Sequence, residues 1–222
     1  MLKYFDAHCH LEQNEPQTTG VGRIINAACY SDWGSVADLA FGDTFGAIGI
    51  HPWHISDLPN DWDMQLRNML VQNSDLMVGE IGLDKHRPNI QEQISVFTRQ
   101  LEIACELQRG VHIHSVGTLG KIVEILDDYC NTLPPFILFH RYSGGISQMT
   151  HLSERYHAYF SYNSVVNMER LRLTPVNRIL SETDSVAGLE ISLVADMLAD
   201  AIGVGAETFV QNAERMLGKC HD

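Results

Sequence analysis

The sequence predicts an α/β fold, a closed (β/α) barrel built on about eight parallel strands. Three observations carry this reading. Short apolar runs alternate with amphipathic helical runs along the whole 222-residue chain, and strands separated by helices pair in parallel. The glycine-rich phosphate loop that opens many doubly wound sheets is missing. Histidines and carboxylates fall near the carboxyl ends of the predicted strands, the end at which barrel active sites form.

The elements follow in order. Tyr4–Leu11 reads as the first strand and Arg23–Ala28 as the second, with a helical segment near Ser35–Ala40. Thr44–Ile50 is the third strand, a helix covers about Asp61–Asn73, and Leu76–Leu83 is the fourth strand. Over Ile90–Arg109, the residues Ile94, Phe97, Leu101, Ala104 and Leu107 recur at helical spacing, and Gly110 is the expected stop. Val111–Ser115 is the fifth strand, with a helix near Leu119–Cys130. Pro134-Pro135 breaks the chain before the sixth strand, Phe136–His140. Ala158–Val165 and Ile179–Glu182 are the seventh and eighth strands, separated by a helical stretch. Two helices follow, at about Glu190–Ile202 and Ala206–Leu217. No linker or shift in composition divides the chain, so residues 1–222 are read as one domain.

Composition narrows the function classes. With 45% hydrophobic residues the chain can bury one substantial core. No run reaches the roughly 20 apolar residues that span a bilayer, and Met1–Asp6 has no apolar stretch of signal-peptide length. The expected location is the cytoplasm, away from membranes, and nothing marks an obligatory protein partner. The five cysteines are odd in number and scattered, with no CxxC, which argues against a disulfide framework or a zinc ribbon. Most are read as small buried apolar residues, and strand alternation points Cys9 away from its histidine neighbours. The net charge of −13, from 15 Lys and Arg against 28 Asp and Glu, argues against passive binding to a nucleic-acid backbone. A nuclease stays open, because bound cations supply local positive charge.

The chemistry-bearing residues follow the strands. In Asp6-Ala7-His8-Cys9-His10, alternation puts Asp6, His8 and His10 on one face, where His8 and His10 can reach one metal ion. Asp6 is read as a ligand or as the partner that fixes a histidine tautomer. Glu80, in Gly79-Glu80-Ile81-Gly82-Leu83-Asp84, is a carboxylate in an apolar strand, costly unless paired or metal-bound and suited to bridging two cations. Asp84 shares its face. His114 and His140 sit at the carboxyl ends of their strands and Asp184 follows the eighth strand, whereas His112 lies deeper and reads as a core histidine. A set of histidines and carboxylates of this kind suits zinc, manganese or similar divalent ions. His51 and His54, in Gly49-Ile50-His51-Pro52-Trp53-His54, face the same mouth and are candidates for a substrate phosphate or carboxylate, with Lys85 and Arg141 beside them. Tyr142-Ser143-Gly144-Gly145 is a loop whose backbone N–H groups could meet an anion. His86, His151, His157 and His221 carry no spacing signal.

The ordered set of motifs resembles the TatD-like family of metal-dependent deoxyribonucleases, among the amidohydrolase-like barrels. The matching pieces are Asp6-Ala7-His8-Cys9-His10-Leu11, Gly49-Ile50-His51-Pro52, Gly79-Glu80-Ile81-Gly82-Leu83-Asp84, His114-Ser115, His140 with Ser143-Gly144, Glu182-Thr183-Asp184, and Asn212 with Arg215. The resemblance implies a distorted TIM-type (β/α) barrel holding two divalent metal ions (Mg, Mn or Zn). It implies His8, His10 and Asp184 on one ion, His114 and His140 on the other, and Glu80 bridging. It also implies hydrolysis of phosphodiester bonds, often in DNA from a 3′ end. The mechanism expected of such a site is attack by a metal-activated water, with Asp184 the best candidate to take its proton. Departures from the family pattern fall at substrate contacts: Val116 where an arginine is usual, Lys85-His86 where an aromatic residue is usual, and Ser185-Val186-Ala187-Gly188 in place of a proline-containing loop. Two other readings are a hydrolase of small esters, lactones or amides, and a catalytically silent metal- or partner-binding protein. Cleavage of small diesters without oligonucleotides would favour the first, and metal loading without turnover the second.

Overall fold

The computed structural model describes residues 2–11, 19–56, 58–129, 132–184, 186 and 188–218. Eight parallel strands form one sheet in sequence order: β1 (Tyr4–Cys9), β2 (Val21–Asn26), β3 (Thr44–Ile48), β4 (Met77–Asp84), β5 (Val111–Val116), β6 (Ile137–Phe139), β7 (Ala158–Tyr162) and β8 (Ile179–Ser181). The helices are α1 (Trp33–Leu39), α2 (Trp62–Gln72), α3 (Ile90–Leu107), α4 (Leu119–Tyr129), α5 (Ile146–Arg155), α6 (Met168–Leu173), α7 (Ile191–Ile202) and α8 (Glu207–Met216). The sheet curls into a nearly closed barrel because its first and last strands meet. The Ser181 hydroxyl donates to Phe5 O at 2.9 Å, the Asp184 N–H donates to His8 O at 2.9 Å, and Cys9 and Asp184 form a parallel bridge.

Two apolar clusters hold the barrel together. Phe5, Ala7, Ile24, Ala47, Met77, Leu138, Tyr159 and Leu180 come from every strand but β5 and join Val210, Ala213 and Met216 of α8 in one buried cluster. Helix α8 is fixed beside the start of β8, where Asn212 Nδ2 donates to Val176 O and Ile179 O, both at 2.8 Å. The larger cluster lies between sheet and outer helices and includes Ile48, Leu66, Leu83, Phe97, Ile113 and Leu198. Each such buried side chain contributes roughly 1.5–3 kcal/mol.

The structure corrects the sequence reading in several places. The sequence reading places no helix between the sixth and seventh strands, where α5 stands with Met149 and Leu152 buried. Helix α3 ends at Leu107, and the terminator is Gln108 in the left-handed region (φ 53°), not Gly110. Strand β7 stops at Tyr162, because the Asn163 side chain accepts the Val165 N–H at 3.0 Å and turns the chain. Cys9, Cys29 and Cys105 are only partly buried, Cys9 and Cys105 packing against the edge of the larger apolar cluster. Cys130, Ser185, Ala187, Cys220 and His221 lie outside the described residues. Among the described residues no helix is long and apolar enough to cross a membrane.

Candidate metal centre

The site is built around Glu80, which is 2% exposed in the middle of the fully buried strand β4. Its two carboxylate oxygens gather different imidazoles. Oε2 stands 3.2 Å from His8 Nε2 and 3.2 Å from His10 Nε2. Oε1 stands 2.7 Å from His114 Nδ1, 2.8 Å from His140 Nε2 and 3.3 Å from His51 Nε2. Asp184 Oδ1 approaches the first group, 3.5 Å from His10 Nε2. By proximity the donors fall into three overlapping sets: His8, His10 and Glu80; His51, Glu80 and His114; and His8, His140 and Asp184.

These spacings fit a cation. Nitrogen and oxygen donors about 2.0–2.1 Å from a tetrahedral divalent ion stand about 3.4 Å from one another. In the first group the donor separations are 3.2 Å, 3.2 Å and, between the two imidazole nitrogens, 3.3 Å. Facing imidazole nitrogens recur in the second group, with His140 Nε2 3.3 Å and His51 Nε2 3.1 Å from His114 Nδ1.

Hydrogen bonding on the far side of the ring sorts two of the imidazoles, His10 and His51. His10 Nδ1–H donates to Asn26 O at 2.9 Å, so when the ring is neutral its lone pair is the one on Nε2, turned toward Glu80. Behind His114, Asp84 Oδ2 lies 3.7 Å from Nε2, and behind His140, Glu182 Oε2 lies 3.9 Å from Nδ1. Neither carboxylate is within hydrogen-bond reach, and both outer nitrogens are buried without a hydrogen-bond partner among the described residues. His51 is the opposite case: its Nδ1 accepts the Trp53 N–H at 3.2 Å, so the neutral ring carries its proton on Nε2. Distance alone groups His51 with Glu80 and His114, but this tautomer makes it a donor toward the site and not a ligand.

Burial and the crowded charges set the protonation of the metal-free centre. Burial works against ionisation of Glu80, but His140, His51 and His8 hold its carboxyl well below the usual range. Burial disfavours the charged ring of His10, yet its bonds to Asp184 and Glu80 push it up to about 10. His140 rises to about 9, burial being outweighed by Glu80. His8 falls to about 4 through burial and the nearby His140 charge. Asp184 is held low by His10, His8 and His140 against the effect of burial. A carboxylate compensated by two imidazolium rings is what lets so polar a cluster stay buried.

The scaffold that positions these groups was only partly visible in the sequence. Asp6 is neither a ligand nor a tautomer partner: Oδ1 accepts the Thr183 N–H at 3.0 Å and Oδ2 accepts the Thr183 hydroxyl at 2.5 Å. It staples β1 to the segment that carries Asp184. Two glutamines of α3, seven residues or two helical turns apart, clamp the backbone beside the site. Gln100 accepts the Ile50 N–H at 2.6 Å and donates to Ile50 O at 3.2 Å, next to His51. Gln93 does the same for Asp84, at 2.9 and 3.2 Å. Gly82, at φ 151°, lets β4 run against β5, since a Cβ there would stand 1.9 Å from His114 O. Glu182, quoted in the sequence only as part of a motif, accepts the Arg141 N–H at 2.9 Å and the Ser161 hydroxyl at 2.5 Å, and burial pushes its carboxyl up to about 7.

The rim residues are placed less uniformly. Arg141 Nη1 donates to Asp184 Oδ2 at 3.0 Å. Lys85 is exposed and lies along the backbone at Gly117. His54 is exposed, with its ring 6.3 Å from that of His51 and no described contact to Glu80. The Tyr142–Gly145 loop is engaged internally: the Tyr142 N–H goes to Ser161 O at 3.3 Å and the Gly145 N–H to Gln148 at 3.2 Å, so it caps α5 instead of offering these groups to an anion. His112 is fully buried beside His8, with ring centroids 5.9 Å apart, consistent with a core position. A cavity of about 550 Å³ at the opposite, amino end of the strands contains none of these residues.

A (β/α) barrel with buried imidazoles and carboxylates gathered at the carboxyl ends of its strands defines a metal-dependent hydrolase. The chain belongs to the TatD related DNase family, whose sequence profile matches residues 5–186. It is 32% identical over 217 residues to an uncharacterized metal-dependent hydrolase of Mycoplasma genitalium, covering 83% of this chain and 81% of that protein. It is 28% identical over 161 residues to the 3'-5' ssDNA/RNA exonuclease TatD of Erwinia billingiae, covering 68% of this chain but less than two thirds, 61%, of that protein. The fold is similar to that of the TatD homologue YjjV of Escherichia coli K12, with a TM-score of 0.81 at 19% identity over 96% of this chain and 97% of that one.

Proposed function

We propose that the chain is a nuclease that shortens single-stranded nucleic acid from its 3′ end, using two divalent ions (Mg, Mn or Zn). The observation that carries this reading is the division of the imidazoles between the two oxygens of Glu80, which suits a carboxylate bridging two cations. The activity named for the Erwinia relative supports the choice of substrate. His8, His10 and Asp184 would hold one ion, His114 and His140 the other, and Glu80 both. Ions bound there supply Lewis acidity, which lowers the pKa of water and offsets the charge on a phosphate.

The chain's own residues do the rest. Asp184 takes the proton of the attacking water, its second oxygen being held by Arg141. His51 donates its Nε2–H to a phosphate oxygen, a role its tautomer fits. Arg141, Lys85 and His54 are the rim contacts for the strand backbone in a protein of net charge −13. Residues 1–222 act as one domain in this reading.

The test is metal-dependent hydrolysis of a short 5′-labelled single-stranded DNA beside bis-p-nitrophenyl phosphate, with Mg²⁺, Mn²⁺ or Zn²⁺ added to chelated protein. Stepwise shortening that disappears in Glu80→Ala is expected. Cleavage of the small diester alone would remove nucleic acid as the substrate and leave small esters or lactones.

A further inference from the structure

Trp53 stands at the rim of the centre with 49% of its surface exposed, yet it is not loose. Its Nε1–H donates to Asp84 Oδ2 at 2.7 Å, and Gln93 clamps the backbone of Asp84. Its ring meets those of His51 and His114, with centroids 5.1 and 6.3 Å away. With the indole N–H already satisfied, the group offers a ligand only its flat π surface. That surface already carries a planar partner: the Arg87 guanidinium lies 4.0 Å from the ring centroid.

Resting on the nuclease reading above, we propose that Trp53 is a stacking platform for the base of the 3′-terminal nucleotide, which takes the position on the indole that Arg87 holds in the free protein. The ring borders His51 and His114, so a base on it leaves its own phosphate beside Glu80. Aromatic stacking is sequence-tolerant, because every base has a π face, and is worth about 5- to 150-fold in affinity per base. Arg87, displaced, adds a cation beside the strand backbone where the protein as a whole is acidic. The platform requires an unpaired terminal base, so a blunt duplex is a poor substrate.

The test compares oligonucleotides ending in a normal 3′ nucleotide or in an abasic one, with wild type, Trp53→Leu and Trp53→Phe. Removing the base should lower kcat/KM by about 5- to 150-fold in wild type and far less in Trp53→Leu. Trp53→Phe, which keeps a ring but loses the bond to Asp84, should still sense the base. Equal sensitivity to base removal in wild type and Trp53→Leu overturns the platform. So does a Trp53→Phe protein that behaves as Trp53→Leu, which would show that the indole acts through Asp84. Binding is read separately in chelated protein at low salt. A terminal base should quench an emission component that is missing in Trp53→Leu, and no such quenching overturns the platform even if wild type cleaves no oligonucleotide. Quenching without any cleavage would instead overturn the nuclease reading alone.

Discussion

Arg141 Nη1 donates to Asp184 Oδ2 at 3.0 Å, and both residues sit with left-handed backbone, at φ 43° and 56°, on the loops that follow β6 and β8. Such conformations cost about 1–3 kcal/mol each in residues other than glycine and persist where the surroundings enforce them. The Arg141 N–H bond to Glu182 and the Asp184 N–H bond to His8 are the enforcing contacts. Replacing Arg141 with Ala should lower kcat/KM on an oligonucleotide about tenfold, equivalent to about 1.4 kcal/mol, while bound metal measured by mass spectrometry is unchanged. Loss of metal would show that the guanidinium acts by holding Asp184 and not by meeting substrate.

Glu80 accepts from imidazoles on both oxygens, so its loss should be felt by both halves of the centre. Glu80→Ala should reduce metal affinity by more than the roughly 10- to 100-fold typical of partners one shell further out. Turnover should vanish while far-ultraviolet circular dichroism stays that of a folded barrel. A variant that keeps two ions per chain and measurable activity would contradict a bridging role.

Burial pushes the Glu182 carboxyl up to about 7, from an ordinary value of 4.5. The folded, metal-free protein therefore holds a proton in that window that the unfolded chain has released. Glu182 thus makes stability fall as pH rises from 4.5 to 7, by at most about 3 kcal/mol. Denaturant unfolding of chelated protein at pH 5 and pH 8 should show this slope, and Glu182→Gln should flatten it. An identical slope in the variant would mean that Glu182 is ionised throughout.

Gln100 satisfies both polar backbone groups of Ile50 from a position that is fully buried. Gln100→Ala leaves that N–H and carbonyl without partners, which should cost about 2 kcal/mol or more. The neighbouring His51 would lose its fixed position. KM should rise with the loss of stability, and a stable variant with altered KM would separate the two effects.

Much of this architecture is a local property of the chain. The alternation of strand and helix, and the placement of His8, His10, Glu80, His114, His140 and Asp184 on or just after strands, are visible in the sequence because side-chain periodicity is set by the backbone of each element alone. What only the tertiary structure decided are the partners across the barrel. The tautomers of His10 and His51 depend on a carbonyl of β2 in one case and the N–H of Trp53 in the other. Asp6 became a staple because Thr183, 177 residues away, meets it at the seam. The grouping of imidazoles on one or the other oxygen of Glu80, the clamps from Gln93 and Gln100 and the exposed indole of Trp53 likewise arise only when the strand ends converge. Hydrogen-bond geometry and local charge act over a few ångströms in space, and the spacing of residues along the chain does not contain those distances.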